Sequence, residues 1–147
     1  MILNYIHPEA IIGESCQIGH FTTIYEDVII GKNNWIGPNV TIFPGTRIGD
    51  NCSIFPGAVI GAIPQDLKFE GEYSTVEIAN RVTIRECVTI NRGTKISGTT
   101  KIGSDTLLMA YVHVAHDCIV GNHCVLANTT NLAGHVTIGD YAIFGGM

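Results

Sequence analysis

Apolar residues recur at every sixth position along most of the chain. The series begins at Ile6, continues without a break to Ile60, resumes in the same phase at Ile78 and runs to Phe144. Asp66 and Glu72 interrupt it. In an α-helix, sixth neighbours are rotated by about 240° and would be spread around the cylinder. The spacing therefore excludes a helix and favours short strands joined by corners.

A second set of positions, four residues after each apolar anchor, carries small or β-branched residues. Each lies two residues before the next anchor, which is the alternation of a β-strand with both side chains pointing inward. Asn34 is the one residue that does not fit this set. The set comprises Cys16, Thr22, Val28, Val40, Thr46, Cys52, Ala58, Val82, Val88, Thr94, Thr100, Thr106, Val112, Cys118, Cys124, Thr130, Val136 and Ala142.

Three such hexads close one triangular coil of about 18 residues, and coils would stack at the ~4.8 Å spacing of neighbouring strands. We therefore predict an all-β fold, a parallel β-helix of about seven coils that forms one domain over residues 1–147. Glycine follows many anchors, as at Gly13, Gly31 and Gly49. At these positions we expect either a positive φ or a close approach of two backbones.

The hexads stop between Gly61 and Glu77, where the sequence is GAIPQDLKFEGEYSTVE. This segment contains Pro64 and is rich in acidic residues. Because the repeat resumes in phase, we predict an external loop over residues 61–77. Long loops that leave a regular scaffold are commonly functional, so we expect this one to fold over a ligand.

Composition narrows the class of protein. The chain is 46% hydrophobic and 14% charged, and its 17 glycines indicate an ordered, turn-rich fold. A net charge of −5 offers no basic surface, so we expect no nucleic-acid partner. No stretch approaches the ~18 apolar residues of a membrane span, and the start lacks the pattern of a secretory signal. We expect a cytoplasmic protein without membrane insertion.

The five cysteines have no paired spacing, which argues against a disulfide framework or a zinc ribbon. Cys16, Cys52, Cys118 and Cys124 occupy the inward small position, where a thiol behaves as a compact apolar group. Cys87 falls at a corner, where we expect it to be exposed.

Candidate chemistry is concentrated in the segment MAYVHVAHDCIV. With three hexads in each coil, His116 would lie between Gly98 below and Gly134 above. Asp117 would lie beneath His135, and His113 beneath Asn131. We therefore expect one polar patch that spans neighbouring coils at a corner of the helix.

The patch has the parts of a general-base site. Glycine on both sides would leave the imidazole of His116 unobstructed, and a neutral imidazole accepts a hydroxyl or amine proton near neutral pH. Asp117 would fix the tautomer of that imidazole. The backbone N–H of Gly134 would face the oxyanion of a tetrahedral intermediate.

Two other interpretations of the histidines compete with this one. Corner histidines of a solenoid can be solvated surface, which is the interpretation we favour for His7, His20 and His123. Zinc bound by three histidines, as in β-helical carbonic anhydrases, would use His113, His116 and His135. Their offsets within the hexad differ, and a carboxylate rather than a histidine adjoins His116, so we expect no metal.

The hexad of aliphatic, glycine, two variable, small and variable residues resembles that of the hexapeptide-repeat acyltransferases. That resemblance alone implies a left-handed helix, because general rules favour right-handed parallel connections. The segments IPQDLKFEGE, IRECVTINRGT and SDTLLMAYVHVAHDCIVGNHCVLANTTNLAGHVTIGDYAIFGGM resemble the UDP-N-acetylglucosamine O-acyltransferases of lipid A biosynthesis over nearly all of the chain.

This resemblance implies an enzyme that transfers a 3-hydroxyacyl group from acyl carrier protein to the 3-hydroxyl of the UDP-amino sugar, without a cofactor and as a homotrimer. It implies that His116 is the general base, assisted by Asp117, and that Gly134 supplies the oxyanion N–H. It further implies that the residues contacting sugar nucleotide or acyl chain are Gln65, Asp66 and Lys68 in the loop, and His113 and His135 on the wall.

Two departures from the family concern the substrate and the length. Asn91 replaces the histidine of the family's VTIHRGT motif, although its amide can still hydrogen-bond to a substrate. The family continues past GGM with further coils and a helical domain, so we expect a truncated or shortened form. The alternatives are a related transferase that uses acyl or acetyl coenzyme A, with an amine as acceptor, and a structural solenoid without turnover.

Overall fold

The computed structural model describes residues 3–145 and consists of three seven-stranded parallel sheets. Successive strands lie in the three sheets in turn, so that each coil contributes one strand to each face of a triangular prism. The fold is a left-handed parallel β-helix of seven coils, which confirms the predicted class. None of the described residues belongs to a helix long and apolar enough to cross a membrane.

The strands are short, and most have two residues. The first sheet contains β1 (Tyr5–Ile6), β4 (Thr23–Ile24), β7 (Thr41–Ile42), β10 (Val59–Ala62), β13 (Thr89–Asn91), β16 (His113–Val114) and β19 (Asn131–Leu132). The second contains β2 (Ile11–Ile12), β5 (Ile29–Ile30), β8 (Thr46–Ile48), β11 (Thr75–Ile78), β14 (Thr99–Ile102), β17 (Ile119–Val120) and β20 (Thr137–Ile138). The third contains β3 (Gln17–Ile18), β6 (Trp35–Ile36), β9 (Ser53–Ile54), β12 (Thr83–Ile84), β15 (Leu107–Leu108), β18 (Val125–Leu126) and β21 (Ile143–Phe144).

The core is the column of aliphatic anchors inside the prism. Anchors of the middle coils, such as Ile42, Ile84 and Leu108, are completely buried. Those of the outermost described strands, Ile6 and Phe144, are partly exposed because no described strand covers them on one side. At about 25 cal/mol per Å² of apolar surface, each buried aliphatic side chain stabilises the fold by roughly 1.5–3 kcal/mol.

Inward polar groups find partners in the neighbouring coil. Thr22 Oγ1 donates to the carbonyl of Gly37 at 2.8 Å, and Cys118 Sγ donates to that of Ala133 at 3.0 Å. Asn34, the apparent misfit, is also buried: its Nδ2 donates to the Gly31 and Gly49 carbonyls at 2.9 Å, and its Oδ1 accepts from Cys52 N. The amide of Asn34 therefore fits the inward position, because it donates to a carbonyl of the next coil as the hydroxyl of Thr22 does.

The cysteines lie as predicted. Cys52, Cys118 and Cys124 are buried, Cys16 is partly buried and Cys87 is exposed, all as free thiols. Burial raises the pKa of Cys52 and of Cys118, so both remain protonated at neutral pH.

Glycine and positive φ occupy different places in the corner. A Cβ added to Gly13 or Gly103 would lie within 2.6 Å of backbone atoms in the next coil, so these glycines permit a close approach without a positive φ. The positive φ falls two residues later and is adopted by residues other than glycine, such as Asn33 at 57° and Asp117 at 59°.

Two loops interrupt the coils. Val59 pairs with Thr41 on one side and with Thr89 on the other, and Thr89 lies two hexads further along the chain than a regular coil would place it. The long loop, residues 63–74, accounts for this spacing. The predicted range 61–77 was too wide, because Gly61 and Glu77 lie in β10 and β11.

The second interruption was not predicted. Thr89 pairs with His113, one hexad further along than in a regular coil, because residues 92–98 form a short loop between β13 and β14. Ile96, predicted as an inward anchor, lies in this loop and is 72% exposed. That prediction was wrong.

Candidate functional site

The candidate site lies at the corner that joins the first and second sheets between β16 and β17. We call residues 115–118 the His116 corner. The corner of the next coil, between β19 and β20, lies directly above it, because the N–H of His135 donates to the carbonyl of His116 at 3.1 Å. The predicted stacking of His113 beneath Asn131 is confirmed by the strand register.

His116 and Asp117 form a hydrogen-bonded pair. The Nδ1 atom of His116 lies 2.8 Å from Oδ2 of Asp117. The His116 side chain is 14% exposed, whereas the Asp117 side chain has no exposed surface. Asp117 adopts its left-handed φ of 59°, which is the conformation at this position of most corners. The pair is therefore placed by the regular corner geometry.

Hydroxyl groups of the short loop surround the Asp117 carboxylate. Thr94 donates to it twice, from N at 2.9 Å and from Oγ1 at 2.6 Å, and Ser97 Oγ donates a further hydrogen bond. Burial acts to raise the pKa of Asp117, but these donors and His116 outweigh that effect and hold the pKa well below its usual range. The carboxylate is therefore ionised and accepts hydrogen bonds only.

Since the carboxylate cannot donate, the proton of the shared hydrogen bond lies on Nδ1 of His116. Nε2 then carries the lone pair and is the basic atom. His135 lies close by, with its ring centroid 5.0 Å from that of His116 and its Nε2 3.8 Å from Asp117 Oδ2. The corner can therefore accept a proton at a defined atom.

Gly134 packs against the imidazole. A Cβ at Gly134 would lie 2.5 Å from Cε1 and 2.6 Å from Nε2 of His116, so the ring occupies the space that a side chain would fill. The N–H of Gly134 donates to no backbone acceptor within residues 3–145. Gly98, expected below His116, instead ends the short loop with a φ of 76°. Thr94 and Ser97, which sequence reasoning missed as site residues, lie in that loop.

Two of the predicted residues, His113 and Asn91, lie in strands of the first sheet, β16 and β13. His113 Nδ1 is 2.7 Å from Thr89 Oγ1, and burial lowers the pKa of His113. Asn91 is buried at the base of the long loop, where its Nδ2 donates to the carbonyl of Ile63 at 3.1 Å. Its Oδ1 has no partner among the described residues.

The predicted loop residues are largely open to solvent. Gln65 and Lys68 are exposed, and Asp66 Oδ1 accepts the N–H of Lys68 at 3.0 Å to form a local turn. No hydrogen bond or ion pair of the described chain joins these three residues to the His116 corner. The long loop instead reaches the short loop, where Glu72 accepts the N–H of Lys95 at 2.9 Å.

One set of side chains has the types and spacing of metal ligands. The ligand atoms of His116, Asp117 and His135 lie within 4.8 Å of one another. The Asp117 oxygens already accept hydrogen bonds from Thr94, Ser97 and His116. This arrangement fits a proton-transfer pair better than a metal centre. The group does not include His113, which the zinc alternative would have used as a third histidine ligand.

Comparisons with known proteins agree with the motif-based resemblance. The chain matches the model of the bacterial transferase hexapeptide (six repeats) over residues 9–44, 27–62 and 99–133, which together exceed half of its length. It is 45% identical over 144 residues to the acyl-[acyl-carrier-protein]–UDP-N-acetylglucosamine O-acyltransferase of Campylobacter concisus, covering 97% of this chain and 55% of the relative.

Solved structures give the same result. The UDP-N-acetylglucosamine acyltransferase of Bacteroides fragilis is 57% identical with a TM-score of 0.95, covering 96% of this chain and 55% of that one. LpxA from Acinetobacter baumannii is 45% identical with a TM-score of 0.97, covering 98% and 56%. The chain therefore spans about half the length of these relatives. The chain has the six-residue repeat and the three-sheet prism, and the family model matches more than half of its length. It belongs to the family of bacterial hexapeptide-repeat transferases.

Proposed function

We propose that the chain carries the catalytic β-helix of an O-acyltransferase. The reaction transfers a 3-hydroxyacyl group from acyl carrier protein to the 3-hydroxyl of UDP-N-acetylglucosamine, the first step of lipid A biosynthesis. The names of the relatives support the donor and acceptor. The observation that carries the proposal is the hydrogen bond from Nδ1 of His116 to the buried, ionised Asp117.

His116 acts as the general base in this proposal. Its Nε2 takes the proton of the sugar 3-hydroxyl while the hydroxyl oxygen attacks the thioester carbon. The imidazole becomes positively charged, and Asp117 stabilises that charge through the hydrogen bond at Nδ1. General-base catalysis of this kind contributes roughly 10²- to 10⁴-fold to a rate.

The N–H of Gly134 stabilises the oxyanion that forms on the thioester carbonyl. When the tetrahedral intermediate collapses, the C–S bond breaks, and the imidazolium of His116 returns its proton to the departing thiolate. The products are the O-acylated nucleotide sugar and free acyl carrier protein. All protons are accounted for by one imidazole, so the proposal includes neither a metal nor a cofactor.

Substrate binding is assigned to the surfaces around this corner. We place the nucleotide sugar and the acyl chain against His113 and His135 on the wall, and beneath the long loop that carries Gln65, Asp66 and Lys68. Asn91, whose buried Oδ1 has no hydrogen-bond partner among the described residues, is the remaining candidate at the base of that loop. These assignments stay proposals that follow the family resemblance.

We further propose that the chain acts as a homotrimer in the cytoplasm. The His116 corner and the wall bearing His113 lie on the outside of a single prism, which leaves an acyl chain open to water on one side. A neighbouring copy would cover that side. Acyl carrier protein and nucleotide sugars are cytoplasmic substrates, which supports the compartment.

The test is a transfer assay of the chain with UDP-N-acetylglucosamine and 3-hydroxyacyl carrier protein. His116→Ala should lower kcat/KM by at least about 100-fold, because the proton acceptor is lost. His20 lies at the same offset within its hexad as His116 and is exposed on another coil, so His20→Ala is the matched control. Its rate should equal that of the wild type.

The same assay separates the alternatives. Transfer of an acetyl group from coenzyme A to an amine, with no use of hydroxyacyl carrier protein, would replace the proposed function by the related transferase. Equal rates in wild type and His116→Ala, with both proteins folded, would reject the base assignment. A folded wild type that transfers neither group would leave the structural solenoid as the better description.

A further inference from the structure

The Asp117 carboxylate is enclosed by donors from two parts of the chain. His116 donates from its own corner at 2.8 Å, while Thr94 and Ser97 donate from the short loop. Both carboxylate oxygens are engaged: Oδ1 by Thr94 N and Ser97 Oγ, and Oδ2 by Thr94 Oγ1 and His116 Nδ1. Because donors hold both oxygens, the carboxylate cannot rotate without breaking hydrogen bonds.

The direction of each hydroxyl proton is fixed by the remaining contacts. Thr94 Oγ1 accepts the N–H of Ile96 at 3.3 Å, which leaves its own proton for Asp117. Ser97 Oγ lies 3.0 Å from the carbonyl of Thr99 but closer to the carboxylate, so its single proton goes to the charged acceptor. Both hydroxyls thus act as donors toward Asp117.

The short loop is the insertion that brings these hydroxyls to the corner. It adds one hexad to the spacing between β13 and β16, and it lies directly against Asp117. Within the short loop, the N–H of Gly98 donates to the carbonyl of Thr94 at 2.8 Å. Glu72 of the long loop braces it from outside through the N–H of Lys95.

We propose that Thr94 and Ser97 are positioning residues that lock Asp117 in the orientation and charge state that keep the proton of His116 on Nδ1. They touch neither substrate nor the reacting atoms. Their effect passes through Asp117 to His116, and it keeps the lone pair of the neutral imidazole on Nε2. The expected effect on activity rests on the proposed role of His116 as general base. The expected tautomer of His116 does not depend on that role.

The titratable groups that face Asp117 are His116, His135 and the thiol of Cys118. Removing the two hydroxyls takes away two of the donors that offset the burial of Asp117, so its pKa rises, although the N–H of Thr94 and His116 still donate to the carboxylate. Without the two hydroxyls the carboxylate is held less firmly in its present orientation, so the hydrogen bond that keeps the proton on Nδ1 weakens and the Nε2–H tautomer becomes populated.

The experiment compares wild type, Thr94→Val, Ser97→Ala and the double variant. The ¹⁵N shifts of the imidazoles, with His116 assigned by the loss of its signals in His116→Ala, report the tautomer in the free protein. Wild type should show His116 with Nδ1–H. The double variant should show a mixture that includes Nε2–H.

Activity gives the second readout. The double variant should lose roughly 10- to 100-fold in kcat/KM, the factor that corresponds to a lost hydrogen bond to a charged group. The loss should appear in kcat, with the KM for the nucleotide sugar unchanged. Thr94→Ser keeps the hydroxyl and should restore the wild-type tautomer and rate, even if Thr94→Val is less stable.

Thr22→Val is the matched control. Thr22 is a buried inward hydroxyl that donates to the Gly37 carbonyl and accepts the N–H of Val40, far from Asp117 in sequence and on another coil. Its loss should leave the tautomer and kcat/KM unchanged. An unaltered His116 tautomer in a folded double variant would overturn the inference, whereas a chain that transfers no acyl group would overturn only the proposed function.

Discussion

At the scale of single residues, the candidate site depends on the absence of a side chain. Gly134 does not have a positive φ, so alanine would fit its backbone. The space a Cβ would enter is filled by the imidazole of His116. The glycine is therefore required by the position of a neighbouring ring and not by the conformation of its own residue.

We expect Gly134→Ala to displace the His116 ring while retaining the backbone N–H. A shift of about 1 Å in a reacting group can lower a rate by roughly 100-fold, and kcat/KM should fall by that order. Gly139→Ala is the control, because a Cβ there would meet no heavy atom within 4 Å. If Gly134→Ala retained the wild-type kcat/KM, the ring would not have to occupy the position seen here.

At the scale of elements, the two loops differ in how they are attached. The long loop ends in a cluster in which Tyr73 lies beside Arg47 and Asp27 of an earlier coil. Arg47 Nη2 donates to Asp27 Oδ1 at 2.5 Å and to the Tyr73 hydroxyl at 3.1 Å, and that hydroxyl is 3.2 Å from Asp27 Oδ2. The cluster holds the end of the loop against the prism.

Tyr73→Phe should release that end of the loop. Because the contact is exposed, the free energy of unfolding should change by less than about 1 kcal/mol. Cleavage by trypsin after Lys68, which is exposed in the loop, should become several-fold faster. The exposed Tyr141 makes no hydroxyl hydrogen bond within the described chain, so Tyr141→Phe should leave the rate of cleavage unchanged. Equal cleavage rates in wild type, Tyr73→Phe and Tyr141→Phe would show that Tyr73 does not hold the loop.

The loops also show what the sequence could and could not predict. Both insertions are whole numbers of hexads, so neither shifts the phase of the repeat. The long loop was found because Asp66 and Glu72 place charges where anchors should be. The short loop was missed because Ile96 is apolar at an anchor position although its side chain points to solvent. Periodicity predicts the coils well, but it cannot detect an inserted hexad that copies the repeat.

The regular spacing of the coils also explains why only part of the candidate site could be predicted. The stacking of Gly134 and His135 on the His116 corner follows from the regular length of a coil, and no insertion lies between these two coils. The hydroxyls of Thr94 and Ser97 could not be placed, because an additional hexad separates the His116 corner from the coil below. Thr94 was assigned an inward role in the core and instead holds Asp117.

At the scale of the whole molecule, each coil pairs only with its neighbours, and the outside of the prism keeps several large apolar side chains exposed. Ile11 and Ile29 lie side by side at one end of the second sheet. Charged residues occupy the same outward column between them and Ile119, namely Arg47, Glu77 and Lys101. The second sheet therefore does not present a continuous apolar face, and the proposed association of three copies rests on the family resemblance.

We expect the purified chain to have a mass in solution of about three times its 15.8 kDa, by light scattering coupled to gel filtration. Dilution into the low micromolar range should not separate the copies, because trimers built from long prisms bury large surfaces. A mass of 15.8 kDa at these concentrations would contradict the trimer without affecting the tautomer of His116.

The left-handed residue of each corner has an evolutionary consequence. Ser15, Arg81, His123 and Tyr141 all adopt it, so the backbone there does not depend on which side chain is present. Asp117 and His135 occupy this same position in consecutive coils. A lineage could therefore acquire or lose a polar pair by point substitution at a place the core does not constrain, and inherit the orientation of both side chains from the scaffold. The placement of such a pair requires no new backbone, whereas the hydroxyls that hold Asp117 come from an inserted loop.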